Sequence, residues 1–476
     1  MIPYVMRQNE VQTSFAEAEM KAQHIVLDPT LQRISTLLDR RTDLVDKVHA
    51  DLIRGLKRPG AGRDGVTAAQ LLRSFIISRI KDWDLRELRE RVVDGYSLRT
   101  FTHFYSGSVP NHRTFNRNFN RLQPDTIRRL NDAVVDAAVE MRLANVVKIR
   151  TDTTLVETNI HFPTDSGLLW DVVRVHTRLV KQLRGELGAM LDCDFPDRTR
   201  RARRRMQEIS RMTGRQRSRQ QIRKYRDLLQ VTEEVMQKAA VHIAAARPVL
   251  NSLDPIRAAV VNALLTEIEE FRGLGQRTVD QTRRRIIGGE QVPVDEKLFS
   301  IFEPHTDLIV RGKARKPVEF GHKVRLVESG NGLITDYEIL KGNPSDQDHI
   351  KPTLDHHKKR FGAAPRLIAT DRGFDSKDNI EACRQAGVVI ESIPQRGGQK
   401  TPEREAYEKS RPFKRAQRFR AGVEGRISVL FRGRGMKRCL VHGLDRFEVF
   451  VGVAVLANNL LVLAALLEKK RRPVAA

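Results

Sequence analysis

The stretch Asn145-Val-Val-Lys-Ile-Arg-Thr-Asp152-Thr-Thr-Leu-Val-Glu-Thr158 decides how the rest of the chain is read. Its β-branched residues predict a strand, with Val147, Ile149, Thr151, Thr153 and Leu155 alternating onto one face. Asp152 falls on the opposite face, and an acid in mid-strand is a poor strand former that needs a reason. One reason is an edge strand with one wet face. The other is chemistry, and the residues further along bear on that choice.

A chain of 476 residues is long enough for two to four domains. Its formal charge of +26, from 85 basic and 59 acidic residues, points to a polyanionic partner. Nucleic acid is the first such partner and an anionic membrane surface the second. Cys193, Cys383 and Cys439 share no metal-type spacing and make no disulfide framework, which fits a reducing cytosol. The opening residues lack a basic segment followed by an apolar one, so no secretory leader is expected. Val449 to Leu467 is apolar and near the roughly 20 residues needed to span a bilayer. Asn458 and Asn459 at its centre argue instead for a helix buried in a soluble core, with no membrane partner.

Ahead of the strand the patterns are helical. Thr67 can cap a helix striped by Leu71, Leu72, Phe75, Ile76 and Ile80. Asn111 can cap another over residues 112–122, with Phe115, Phe119 and Leu122 on one side. Arg113, Asn116 and Arg117 lie on the other side, the residue types that read guanine and adenine edges. That face is either a recognition surface or a solvated side of a basic protein. After the strand, Leu168 to Leu187 predicts one long amphipathic helix. Between Asp197 and Arg226 there are 13 Lys or Arg and two acids, Arg201, Arg204 and Arg205 among them. Such imbalance repels itself without a counter-anion, so phosphate contact is favoured over a merely solvated run.

Strand character returns after Pro304. Residues 307–311, 320–328 and 333–340 read as an antiparallel meander, followed by a helix to about Arg360, a short strand 365–371 ending in Asp371, a helix 377–385 and a strand 388–393. Alternating strands and helices imply an α/β domain. Its parts are residues 145–190 and 304–476, interrupted by a basic helical insertion over 191–303 and preceded by an all-α domain over 1–144.

Three acids stand out: Asp152 in mid-strand, Asp371 at a strand end before an Arg-Gly turn, and Glu424 on a helix striped by Phe419, Val423, Ile427 and Leu430. Acids at neighbouring strand ends and one from a packed helix can converge on a cation; without one they repel. Each also has a plain structural reading: Asp371 as a turn cap, Glu424 as the partner of Arg420 four residues earlier.

Several blocks carry a resemblance. Thr151-Asp-Thr-Thr-Leu-Val-Glu-Thr-Asn-Ile-His-Phe-Pro-Thr-Asp-Ser166, Glu319-Phe-Gly-His-Lys323, Gly342-Asn-Pro-Ser-Asp346, Ala369-Thr-Asp-Arg-Gly-Phe-Asp-Ser376 and Arg420-Ala-Gly-Val-Glu-Gly-Arg-Ile427 together resemble bacterial insertion-sequence DDE transposases, nearest to the ISNCY type. The resemblance runs from about residue 60 to 465. It implies an RNase H-like mixed sheet with flanking helices, and Asp152, Asp371 and Glu424 as a catalytic, metal-binding triad. The implied cofactor is Mg²⁺, as two ions about 3.5–4 Å apart, with Mn²⁺ able to substitute. The implied reaction is cleavage at element ends and transfer of the 3′-hydroxyl into target DNA.

The resemblance further implies terminal inverted repeats and target DNA as double-stranded partners, a homodimer in the DNA complex, and a cytoplasmic, nucleoid-associated protein. The DNA-binding residues expected are Arg113, Asn116, Arg117, Arg201, Arg204, Arg205 and Arg420. Relatives often show a Tyr-Arg-Glu-Lys signature around the glutamate. Here Arg420 and Glu424 fit it, while Gln417 and Phe431 stand at the other two positions. Glu157, Asp165, Asp171 and Asp375 are further acids near the site in sequence. No G-x-x-x-x-G-K-[ST] loop is present, so ATP is not expected. Two other readings fit the same residues: an RNase H-like nuclease without strand transfer, and a non-catalytic DNA-binding regulator.

Overall fold

The structure is a computed structural model that describes residues 18, 22, 27–57, 65–212, 217–310 and 317–471. The chain forms two compact units, one from residues 1–157 with 322–476 and the other from residues 158–321.

Six strands occur among the described residues: β1 Lys148–Glu157, β2 Asp307–Val310, β3 Val318–Ser329, β4 Ile334–Leu340, β5 Leu367–Ala369 and β6 Ile390–Ser392. In the first unit they lie in the order β4-β3-β1-β5-β6. β3 and β4 are antiparallel, whereas β1, β5 and β6 are parallel. The opening stretch is therefore a central strand, not an edge with a wet face, and Asp152 is only 9% exposed. Both faces of the sheet are covered. Ile149 and Ile368 pack with Ile350, Leu354 and Cys383 from helices on one side. Val156, Leu326 and Tyr337 pack with Leu430, Phe447 and Phe450 on the other. Burial on both faces accounts for the nearly continuous apolar and small-polar run of β1, which simple alternation does not describe.

The meander expected over 307–340 takes a different form. β2 pairs antiparallel with Val318–Gly321 at the start of β3, inside the second unit. β4 pairs with Lys323–Glu328 further along the same strand.

The amino-terminal helices of the first unit share one core with the last helix, Leu444–Arg471. Thr67 caps its helix as expected, and Gln70 returns the bond to the Thr67 N–H in a capping box. Leu444–Lys470 is the one stretch among the described residues long and apolar enough to cross a membrane, and most of it is buried within the protein. The central Asn459 accepts from the Ile334 N–H at 2.9 Å and donates to the Ile334 carbonyl at 2.9 Å. Asn458 accepts from Arg426 at 3.1 Å. Asn459 is thus satisfied by a strand and the Asn458 oxygen by an arginine, partners that a protein interior supplies and a bilayer does not.

The second unit is built on the helix Asp165–Leu187, against which Thr199–Ser210, Arg217–Val249 and Pro255–Thr282 pack around a separate apolar core.

Candidate active site

Register brings the first two acids together. β1 and β5 run parallel with Lys148, Ile149 and Arg150 opposite Leu367, Ile368 and Ala369. The same register carried two residues further sets Asp152 beside Asp371. Asp371 lies two residues beyond β5 and caps the following turn, its Oδ1 accepting from the Gly373 N–H at 2.8 Å. The cap is real, but it uses one oxygen and leaves Oδ2 turned toward the site.

The third acid arrives on the helix Arg411–Gly433, which Ser410 caps and which lies across β1, β5 and β6. Its placement follows from a buried ion triad. Glu328 on β3 is fully buried and accepts from Arg150 Nε at 2.8 Å and Arg426 Nε at 3.0 Å. Arg150 also donates to the Phe419 carbonyl and lies against the Phe419 ring. The guanidinium sits so close to Gly422 that a Cβ there would collide with it. Gln417 fixes the same helix to the strand ends, donating to the carbonyls of Thr370 at 3.2 Å and Ser392 at 2.8 Å. At this position an amide ties helix to sheet.

The outcome is that all three acids face one guanidinium. Arg420 reaches Asp152 Oδ2 at 3.1 Å, Glu424 Oε1 at 3.0 Å and Asp371 Oδ2 at 3.8 Å. Its Nε is buried without a partner. Burial pushes Asp152 up to about 6; Arg420 opposes that rise, and Asp371 and then Asp346 add to it. A carboxyl this costly to ionise beside like charges calls for a cation.

Glu424 itself is well exposed, on the solvent side of its helix and not against the sheet. Among the described residues no three His, Cys, Asp or Glu donors stand close enough to share one ion as they are placed. The space between them is Arg420's. The donor chemistry nevertheless fits a hard divalent ion: carboxylate oxygens from three elements, with no imidazole or thiolate among them.

The other acids near in sequence are occupied elsewhere. Asp165 pairs with Arg285 at 2.7 Å and Asp171 with Arg174 at 2.6 Å, both inside the second unit. Asp375 accepts from the Arg396 N–H at 2.7 Å, and the backbone of Glu157 bonds to residues 437 and 439. The carboxylate that the sequence reading did not single out is Asp346, which bonds Thr153 Oγ1 and Lys323 Nζ, each at 2.9 Å. Its signal in the sequence is its place at the end of the Gly342-Asn-Pro-Ser-Asp block.

The arginines expected at DNA divide into two groups. Arg113, Asn116 and Arg117 are exposed on the helix His112–Phe119, whose Phe115, Asn118 and Phe119 are buried. Arg201 and Arg205 instead tie their helix to Asp227 on the next, while Arg204, 67% exposed, reaches only Glu208 at 4.0 Å. Arg200 and Arg203 are exposed beside it.

Two known families match the chain. Residues 290–460 match the Transposase DDE domain, a span holding Asp346, Asp371 and Glu424. Residues 21–121 match a second transposase domain, DUF772. Asp152 lies between the two spans. No curated protein and no solved structure matches. A transposase-domain match toward each end of the chain, with the acids of the second span gathered beside Asp152, supports an insertion-sequence DDE transposase.

Proposed function

We propose that this transposase cuts DNA at the ends of its element and joins the freed 3′-hydroxyl to target DNA, with Asp152, Asp371 and Glu424 as the metal-binding triad. The observation that carries the reading is the convergence of these three carboxylates, from β1, the end of β5 and the Arg411–Gly433 helix, on the single guanidinium of Arg420. The strand order and the parallel β1-β5-β6 half support an RNase H-like core around them.

The similarity to transposase domains supports DNA as the substrate and a divalent metal as the cofactor. Mg²⁺, as two ions, is the proposed form: bound at these carboxylates it would activate the attacking oxygen and stabilise the leaving one. The protein's own part is positional. Asp152 and Asp371 are held side by side by strand register, and the Glu328 triad holds the helix that carries Glu424. Arg420 neutralises the acids in the metal-free chain and, when metal takes that role, is placed to contact a DNA phosphate.

In this reading residues 1–144 engage the terminal inverted repeats, with Arg113, Asn116 and Arg117 toward base edges. The exposed Arg200, Arg203 and Arg204 of the 191–303 insertion contact phosphates. The active form on DNA is a dimer, since two ends must be joined, and it works at the nucleoid.

The test is an assay on end-sequence DNA with Mg²⁺ or Mn²⁺, using both uncut and precleaved ends. Asp152→Asn, Asp371→Asn and Glu424→Gln should each lower cleavage by about 10³-fold or more, as for groups acting as a unit, while DNA binding persists. Cleavage without joined products would leave a nuclease. Full cleavage by Asp152→Asn would remove the triad assignment.

A further inference from the structure

We infer that Asp346 is a fourth carboxylate of the active centre: a positioning residue that sets Asp152 and Asp371 for a divalent cation. The inference rests on the proposed metal-binding role of those two acids.

Asp346 begins the short 3-10 turn Asp346–His349 that leads into the helix Ile350–Phe361. Its Oδ1 accepts from Thr153 Oγ1 at 2.9 Å. Thr153 is the residue after Asp152, and its own N–H donates to Asp152 Oδ1 at 2.8 Å. One threonine thus holds Asp152 by its backbone and Asp346 by its hydroxyl. Lys323 stands behind Asp346 Oδ1 at 2.9 Å and is anchored by the Pro344 carbonyl at 2.8 Å. An acid serving only to pair with this lysine would be satisfied here.

The second oxygen does something else. Asp346 Oδ2 accepts no hydrogen bond among the described residues and faces the Cα of Gly373. A Cβ at Gly373 would stand 3.0 Å from Asp346 Oδ2 and 3.0 Å from Asp371 Oδ1. Two carboxylates from separate elements therefore close over the same glycine, and a side chain between them would drive them apart. Gly373 does not have a positive φ, so its backbone gives no reason for glycine, whereas the space between the two acids does. Like charges so placed repel. Lys323 offsets part of that repulsion from the far side, and a cation on the Asp152 and Asp371 side would offset the rest.

Groups that orient metal-binding carboxylates, when removed, commonly weaken metal binding by about 10–100-fold. The test is titration of the full-length, DNA-free protein with Mn²⁺ alone, reading free Mn²⁺ by its paramagnetic resonance, with a thermal melt for each variant. Asp346→Asn keeps the size of the side chain and an oxygen for Thr153 but removes the charge. It should bind Mn²⁺ about tenfold or more weakly while melting cooperatively. Gly373→Ala leaves every acid in place and should also weaken binding by separating two of them.

Asp152→Asn is the reference. If it weakens binding and neither of the other variants does, Asp346 has no part in the centre and the triad reading stands. If Asp152→Asn also leaves binding unchanged, the triad reading fails and this inference fails with it. Should Asp346→Asn not fold, Gly373→Ala decides: unchanged affinity overturns the inference.

Discussion

Arg420 places a guanidinium nitrogen 3.1 Å from Asp152 Oδ2, across 268 positions of sequence. The same side chain touches Glu424 and approaches Asp371, so it stands where a bound cation would compete with it. Arg420→Met, studied at pH 8 so that the carboxylates are ionised, should strengthen Mn²⁺ binding to the DNA-free protein several-fold. It should also lower the stability of the metal-free protein by about 1–3 kcal/mol through lost charged hydrogen bonds. Mn²⁺ titration and denaturant melts measure the two effects. Weaker Mn²⁺ binding would mean that Arg420 supports the metal site and does not substitute for it.

Asp152 makes the stability of the metal-free protein depend on pH in a definite direction. Its folded pKa lies near 6, above the usual 3.8. The folded chain therefore holds this proton more tightly than the unfolded chain does. The resulting stabilisation is complete below about pH 4 and is lost as pH rises toward 6. Asp152→Asn removes that loss. The variant should melt roughly 2–5 °C above the parent at pH 7–8, and the gap should close near pH 4. A gap that widens at low pH would contradict the assignment.

Arginines on one basic helix are expected to act differently. Arg203 and Arg204 project into solvent, so changing both to Ala should flatten the salt dependence of DNA binding by up to about 0.9 per lost phosphate contact. Arg201 and Arg205 are held by Asp227. Replacing either should lower stability by up to about 1 kcal/mol and change the salt slope little. Binding isotherms at several salt concentrations separate the pairs. Equal slopes for the double variant and the two single variants would remove this helix from the DNA contact.

Glu328 offers a test of how the third acid is positioned. Glu328→Gln leaves Arg150 and Arg426 without their carboxylate, and breaking such a buried pair costs about 3–5 kcal/mol. Chemical denaturation should show that loss. A near-neutral result would mean that packing alone seats the Arg411–Gly433 helix.

Much of the α/β order was legible because strands and helices differ in period. The helix Lys377–Gln385 lies where its pattern predicts it, capped by Ser376. β1 was legible as a strand, but its environment was not. Alternation predicts one face, whereas helices cover both, and only the partner sequences 149–368 and 156–430 in space reveal that. The pairing of β2 and β4 along different parts of β3 was hidden for a similar reason: local pattern specifies a strand and leaves its neighbours open. Asp346 was missed because its significance lies in Thr153 and Gly373, both distant in sequence. Glu424 lies on a helix whose apolar stripe packs it against the sheet, yet the helix turns Arg420 inward and leaves the glutamate in solvent.

The last helix fixes an order of events in synthesis. Its Gly452 carbonyl accepts from Asn131, its Glu468 pairs with Arg33, and Asn459 is bound to the start of β4. The helices made first therefore have no finished core until the end of the chain has left the ribosome. A copy terminated before about residue 444 would lack that core even though all three acids had been made. An intact transposase is thus signalled by the closing of its first helices on its last.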